Sequence, residues 1–195
     1  MQEKQVKTKT RVSMFGEVYT AKREVNAMLD MVGETISDIS KTVFEPACGN
    51  GSFLSEVLRR RIEHIKSNSY SFEQIDQAVL SSVASIYGVD IQKDNVVECR
   101  ARLYQLVINT ISVSSTVQDL LTVILKKNII DGDTLTMKRT NGKPIYISEW
   151  EIRDNGVLIC KDVLYSDMIA NGGESESYEH RYYYHWKNVS EWITA

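Results

Sequence analysis

The sequence is poor in the residues and segments that mark secreted, metal-binding and membrane proteins. It has three cysteines and three histidines in 195 residues. Because Cys48, Cys99 and Cys160 are odd in number and widely spaced, they predict neither a disulfide framework nor a zinc site, and they favour a reducing compartment. No apolar run approaches the ~20 residues of a membrane span, and the polar N-terminus lacks the apolar segment of a signal peptide. We expect a cytoplasmic protein that uses neither a membrane nor a metal.

Proline and net positive charge are also scarce. The two prolines, Pro46 and Pro144, are far apart, so the chain has no Pro-Pro pair. The net charge is −3, whereas a protein that binds DNA unaided usually has a basic excess, because phosphate neutralisation supplies most of the non-specific affinity. Basic residues do cluster at 7–11 and at 59–61, and solvent-exposed faces are the simpler interpretation of both clusters. We expect any recognition of DNA to depend on a protein partner or on a homo-oligomer.

What the chain does contain is an alternation of helix and strand patterns that predicts one α/β domain spanning residues 1–195. Residues 1–13 are polar and are predicted to be flexible, and a helix is predicted from Thr20 to Gly33. Three strands are predicted at 42–44, 85–90 and 128–130. Helices are predicted between and around them at 51–66, 72–82, 93–111 and 116–127. This order predicts a partly parallel sheet with helices on both faces.

The pattern changes after Leu135. Two Asn-Gly turn signals bracket IYISEWEI and precede VLICKDVL, which together predict a C-terminal antiparallel hairpin over residues 145–164. A short helix at 164–170 and a mobile loop at 171–177 are predicted to follow. The last segment is rich in aromatic rings, namely Tyr178, Tyr182, Tyr183, Tyr184, Trp186 and Trp192. These rings are suited to stacking on bases or on a partner protein, and packing against the sheet is the plainer alternative.

The stretch VFEPACGNGSFL joins the first of these strands to a helix through a turn that contains Gly49 and Gly51. A glycine-rich turn between a strand and a helix offers a ligand free N–H groups and a closely approaching backbone at the carboxyl edge of a sheet. Two glycines alone are a weak signal. The neighbouring residues make the signal far more specific.

The segment EPACGNG resembles the first motif of the S-adenosylmethionine-dependent DNA adenine N6-methyltransferases. The resemblance is to their γ-group, which includes the modification subunits of type I restriction systems. FGEVYTAKREVNAMLDMV resembles the N-terminal motif of that group, which closes over the methionine end of the cofactor, with Ala21 where proline is usual. YGVD and NIIDGDTL resemble the second and third motifs. The match covers residues 14–135 and implies a Rossmann-like class I methyltransferase fold.

The resemblance also implies a cofactor site for S-adenosylmethionine. Asp90 would accept from the ribose hydroxyls, Ile91 would lie along the adenine, and Asp133 would accept from the adenine amine, with Asp131 the less favoured candidate. The residues themselves agree, because acids that follow successive parallel strands are placed to meet hydroxyl, amine and ammonium donors. Capping of a helix N-terminus is the alternative role for each acid taken singly. The implied cofactor-binding residues are Tyr19, Thr20, Glu45, Ala47, Gly49, Gly51, Asp90, Ile91, Asp133 and Thr134.

The catalytic motif of the family, [DNS]-P-P-[YFW], is absent. That motif holds the amine of a flipped base against an oxygen acceptor and stacks an aromatic ring on the base. The nearest segment is ISEW, in which Ser148 would replace the polar acceptor and Trp150 the ring, and Glu149 is a further acceptor. The alternative is an alternating strand with Trp150 packed on the core.

We also expect no separate target-recognition domain, because only about sixty residues follow the third motif. Two functions therefore stay open. One is methyl transfer to the N6 amine of adenine in DNA, with recognition borrowed from a partner. The other is a catalytically inactive S-adenosylmethionine-binding module that acts through protein contacts. A methyltransferase for a protein or a small molecule would need a substrate pocket, and the sequence indicates none.

Overall fold

The computed structural model describes residues 7–153, 156–170, 172 and 180–185, arranged as seven α-helices, one 3-10 helix and seven strands within that part of the chain. The helices are α1 (Lys9–Phe15), α2 (Lys22–Val32), α3 (Ser52–Ser67), α4 (Phe72–Ala84), α5 (Lys93–Thr110), α6 (Ser115–Asn128) and α7 (Tyr165–Ala170), with the 3-10 helix at Gly33–Ser37. The strands are β1 (Val43–Glu45), β2 (Ile86–Asp90), β3 (Ile129–Asp133), β4 (Lys138–Arg139), β5 (Tyr146–Ile152), β6 (Val157–Leu164) and β7 (His180–His185).

Strands β1 to β4 form one sheet in that order. β1, β2 and β3 are parallel, and the two-residue β4 returns antiparallel to β3. The α/β class and the mostly parallel sheet are therefore confirmed. Because the three parallel strands are neighbours in both sequence and space, their carboxyl ends lie side by side.

The two faces of this sheet are covered differently. On one face Ile86 and Ile129 join a large core to which α2 to α6 all contribute. On the other face Tyr87, Val89 and Ile130 pack against Ile145 and Ile147 of the β5 segment, with two side chains of α7, Tyr165 and Met168. The expectation of helices on both faces is thus met fully on one side only, because after β3 the chain turns into a hairpin.

The hairpin over β5 and β6 is confirmed, and it carries a third strand. β7 pairs with β6 through its backbone, so that part of the predicted aromatic tail is a strand. Tyr178, Trp186 and Trp192 lie outside the described residues, as does the predicted mobile loop at 171–177 apart from Gly172.

Within the segment predicted to be flexible, residues 9–13 belong to α1. The Thr8 side chain accepts a hydrogen bond from the backbone N–H of Arg11, and Gly16 ends the helix in the left-handed region at φ 64°. These are the ordinary start and stop signals of a helix.

Arg61 anchors the amino ends of β1 and β2. Its fully buried guanidinium donates to the carbonyls of Ile36, Lys41 and Ser82 and to the Ser85 hydroxyl. Burial lowers the pKa of Arg61 to about 10, so the group stays charged at neutral pH. The interpretation of residues 59–61 as a solvent-exposed basic face is therefore wrong for Arg61, because its partners are backbone carbonyls that lie far from it in sequence.

No helix within the described ranges is long and apolar enough to cross a membrane.

Candidate functional site at the carboxyl edge of the sheet

Three acids end the three parallel strands, Glu45 on β1, Asp90 on β2 and Asp133 on β3. In the register Glu45 lies opposite Gly88 and Asp90 lies opposite Asp131. Because side chains alternate along a strand, this register places all three acids on the helix-covered face of the sheet. The structure therefore places on one face of the sheet the acids that the sequence predicted.

The turn after β1 connects the ends of all three strands. The Gly49 N–H donates to the Asp90 carboxylate (2.9 Å), which fastens the turn to β2. The Thr134 hydroxyl donates to the Pro46 carbonyl (3.3 Å), which brings the end of β3 to the same turn. The glycine turn that follows β1 therefore contacts the carboxyl ends of both β2 and β3.

Asp90 has a structural task in this arrangement. Besides Gly49, its carboxylate accepts from the backbone N–H of Gln92 (2.8 Å) and from the side-chain amide of Asn95 (3.2 Å). A carboxylate has about four acceptor positions, so one remains for a ligand hydroxyl. Asp90 thus orders the turn before any ligand is present.

The two candidate acids on β3, Asp131 and Asp133, differ in the hydrogen bonds that their carboxylates accept. The Asp131 carboxylate accepts from the Arg139 guanidinium (2.5 Å) and the Thr140 hydroxyl (2.6 Å). Among the described residues, the donors to the Asp133 carboxylate belong to its own turn, namely the Leu135 N–H (2.9 Å) and the Thr136 hydroxyl (3.0 Å). The ion pair to Arg139 makes Asp131 the poorer acceptor for a ligand.

Glu45 is half-buried at the first strand end and accepts a hydrogen bond from the Ala47 N–H. Burial raises the pKa of this carboxyl, and the Ala47 N–H offsets that only in part. The ionised form is therefore under-solvated, and a cationic donor would stabilise it.

The segment that resembles the N-terminal motif lies directly over the turn. The Tyr19 ring is so close that a Cβ on Gly49 would be 3.4 Å from it, and the Tyr19 hydroxyl donates to the Asn95 side chain (2.9 Å). Burial, assisted by Glu17, raises the pKa of Tyr19 to about 12, so the phenol keeps its proton. Ala21 has φ −65°, the value that proline itself imposes, so its replacement of proline preserves the backbone of this turn.

Ion pairs hold residues 7–17, which lead into this segment, to α5. Lys7 contacts Asp94 (3.0 Å) and Glu98 (2.9 Å), and Arg11 joins Asp94 (2.5 Å) to Glu17 (2.7 Å). The Arg11 guanidinium holds the pKa of Asp94 well below its usual range. The interpretation of residues 7–11 as a solvent-exposed basic face is thus wrong for Lys7 and Arg11.

Two glycines allow the turn to approach its neighbours. A Cβ on Gly51 would lie 2.5 Å from the Cys99 sulfur, and a Cβ on Gly88 would lie 2.9 Å from the Cys48 sulfur. Cys48 and Cys99 are both free and buried, and the adjacent Cys99 thiol together with burial raises the pKa of Cys48. The cysteines that are far apart in the sequence are neighbours beneath the turn.

Ser148 and Trp150 are not brought to this edge. The Trp150 indole donates to Asn128 (2.7 Å), which directly precedes β3, so the ring lies at the amino end of the sheet. Ser148 is buried and donates to Asp162 (2.7 Å) on β6. Both placements follow from the pairing of β5 with β6, and Trp150 packs against the core as the alternative interpretation had it.

The remaining predicted residues surround the turn. Thr20 and Ala47 are exposed, and Ile91 exposes 48% of its surface just beyond Asp90. Asp94, Asn95 and Glu98, which hold the N-terminal segment, were not predicted from the sequence. Their signal was a polar stripe on the first turns of the helix that follows the second strand.

A scan against protein-family models and a search of curated proteins each found no match for this chain. Within the described part of the chain, no group of three or more His, Cys, Asp or Glu side chains is placed to hold a metal ion.

Gly51→Ala should destabilise the protein more than a glycine substitution at an equally left-handed position. Gly142 has φ 83° and open space around its missing Cβ, whereas Gly51 has φ 82° and the Cys99 contact. We expect Gly142→Ala to cost about 1 kcal/mol and Gly51→Ala to cost about 2–3 kcal/mol, because overpacking adds to the backbone strain. Urea unfolding measures both, and equal losses would show that the approach to Cys99 is unimportant.

Glu45→Gln should stabilise the protein at pH 7. Because burial raises the folded-state pKa of Glu45 above its ordinary 4.5, the folded state holds this proton more tightly than the unfolded state, and stability is lost as pH rises through the folded value. The advantage of the glutamine variant should therefore disappear below the ordinary pKa.

Asp38→Asn is the control of opposite sign. Hydrogen bonds from Ser40 lower the pKa of Asp38, so this variant should be less stable than wild type at pH 7 and equal to it at low pH. Unfolding free energies measured from pH 3 to 8 test both, and a Glu45→Gln variant that is less stable at pH 7 would contradict the assignment.

Proposed function

We propose that this chain binds S-adenosylmethionine across the carboxyl ends of β1, β2 and β3, within a Rossmann-like class I methyltransferase fold. The observation that carries the proposal is the placement of Glu45, Asp90 and Asp133 on one face around a turn that holds Gly49 and Gly51. Three parallel strand ends with a glycine-rich turn are the usual position of a nucleoside in such sheets.

Each acid has a matching donor on this cofactor. The free acceptor position of Asp90 suits a ribose hydroxyl, and Asp133, which accepts from Leu135 and Thr136 of its own turn, suits the adenine amine. The under-solvated carboxylate of Glu45 suits the cationic amino-acid end, because an ammonium stabilises a partly buried anion. The exposed side chain of Ile91 offers apolar surface to the adenine ring.

The N-terminal segment supports the same assignment. Tyr19 lies on Gly49 and Thr20 follows it at the surface, so a ligand at the turn would meet this segment first. The ion pairs of Lys7 and Arg11 to α5 hold the segment in place in advance. Such preorganisation lowers the entropic cost of binding.

Calorimetric titration with S-adenosylmethionine tests the cofactor assignment through Glu45→Gln. We expect wild type to bind and Glu45→Gln to bind about tenfold more weakly, since a hydrogen bond to a charged group contributes about 1.5–3 kcal/mol. Glu45→Gln is the sharpest variant because it is expected to be more stable than wild type, so weaker binding cannot be a result of unfolding.

Asp133→Asn is the second arm, and Asp38→Asn is the control because Asp38 caps a turn away from the edge. Asp90→Ala is less informative, since it also releases Gly49. Unchanged affinity in both Glu45→Gln and Asp133→Asn would refute the site.

Methyl transfer to the N6 amine of adenine in DNA is the second candidate. It is favoured by the N-terminal segment, which packs over the turn as the resemblance to DNA adenine methyltransferases implies. Because Ser148 and Trp150 lie away from the edge, the groups that hold the base would come from a partner protein or a second copy. Without them the chain would be a binding module that acts through protein contacts.

Transfer of a labelled methyl group to unmethylated adenine-containing DNA separates the two candidates. If the chain is an enzyme, Trp150→Phe should keep activity within about twofold of wild type, because the ring is remote from the edge and stacking contacts are worth about 1–3 kcal/mol only where they are made. Cofactor binding without any transfer would favour the module. A large loss in Trp150→Phe at unchanged stability would restore a role for this ring in stacking.

A further inference from the structure

A cleft lies on the flank of the sheet, between α6 and the β3–β4 and β5–β6 pairs. It has a volume of about 470 Å³. The charged residues of its lining are Arg100, Lys126, Lys127, Asp131, Arg139 and Asp162. Its basic residues come from three separate parts of the sequence, and the fold brings them together.

The cleft is positive although the chain is acidic. Four basic side chains and two carboxylates in its lining leave a net charge of +2, against −3 for the whole chain. A concave surface of one sign concentrates ligands of the opposite sign. The cleft therefore favours an anion.

Some of these charged side chains hold the walls of the cleft together through hydrogen bonds and an ion pair. Arg100 donates to the carbonyls of Ile129 (3.0 Å) and Lys126 (3.0 Å), which joins α5 to the end of α6. Lys127 contacts the Asp162 carboxylate at 2.8 Å, and Asp162 also accepts from Ser148. The carboxylate of Asp162 is thus engaged within the wall.

Within the described residues, the Arg139 guanidinium uses only part of its hydrogen-bonding capacity. Its Nη2 donates to Asp131 at 2.5 Å, and the other oxygen of Asp131 accepts from Thr140. Its Nε is shielded from solvent and has no hydrogen-bond partner within the described residues, while the side chain as a whole exposes 37% of its surface. A buried N–H without an acceptor is unfavourable, and an oxyanion that turned the guanidinium toward itself would relieve it.

We propose that this cleft binds a phosphate group, which Arg139 and the exposed Lys126 hold. A guanidinium presents a planar fork of donors that fits phosphate oxygens, and an ammonium adds a point charge. A phosphate monoester carries about −1.5 to −2 charges at neutral pH, which matches the net charge of the cleft. The inference does not rest on the cofactor proposal, since it uses the flank of β3 and not the three strand ends.

Two sources of such a group share this chemistry, a free phosphorylated molecule and a nucleic acid. Titrations with inorganic phosphate and with a short single-stranded oligonucleotide that lacks a terminal phosphate distinguish them. Binding of inorganic phosphate alone would assign the free source, and binding of the oligonucleotide in competition with phosphate would assign the nucleic acid.

Arg139→Gln and Lys126→Gln test the proposal, with Arg23→Gln as the control. Arg23 has 91% of its side chain exposed and pairs with the adjacent Glu24, so its loss should change nothing. We expect each cleft variant to lower phosphate affinity about tenfold, because a hydrogen bond to a charged group is lost. Arg139→Lys should recover part of the affinity, since it restores the charge without the fork.

Unfolding midpoints establish that each variant is folded. Affinity for phosphate or oligonucleotide that is unchanged in both glutamine variants would overturn the proposal, and so would a wild-type chain that binds neither probe below about 10 mM. Titration of the same samples with S-adenosylmethionine reports separately on the strand ends, so the two proposals fail independently.

Discussion

The arrangement of this protein depends on how closely the turn after β1 approaches β2 and α5. Gly51 faces the Cys99 sulfur and Gly88 faces Cys48, and neither contact leaves room for a Cβ atom. This contact fixes the start of α3, and it lets the Gly49 N–H reach Asp90. Because the turn is held by packing below and by a carboxylate beside it, the strand ends keep their geometry without a ligand.

Ion pairs add to these packing contacts by holding the residues ahead of α2 to α5. The segment ahead of α2 has few buried apolar residues, and its attachment to α5 uses Lys7 and Arg11 against Asp94, Glu98 and Glu17. Partly exposed ion pairs of this kind are individually weak, but several that share partners restrict one another. The segment can therefore be fixed over the turn and still contribute little to global stability.

The sequence predicted the elements that periodicity and caps determine. The order of strands and helices, the acids at the strand ends and the hairpin all follow from local patterns, and Thr8 with Gly16 could have predicted α1 as well. The burial of Arg61 was not predictable, because its acceptors are backbone carbonyls supplied by three separate segments. The partner of β5 was not predictable either, since an alternating strand has the same pattern whether it joins the parallel sheet or a hairpin.

That choice of partner by β5 has consequences for chemistry. It takes Trp150 to the amino end of the sheet, where Asn128 binds the indole. It also places Tyr146 and Ser148 in the lining of the positive cleft, beside Arg139 and Lys126. The carboxyl edge of the sheet is then acidic, and the cleft on its flank is basic. The small net charge of the whole chain therefore does not show that it carries two surfaces of opposite sign. A nucleoside cation and a phosphate anion would each find a complementary surface, and an acceptor base at the edge would not meet the Trp150 ring. The division of charge explains how a chain of net charge −3 carries a locally positive cleft.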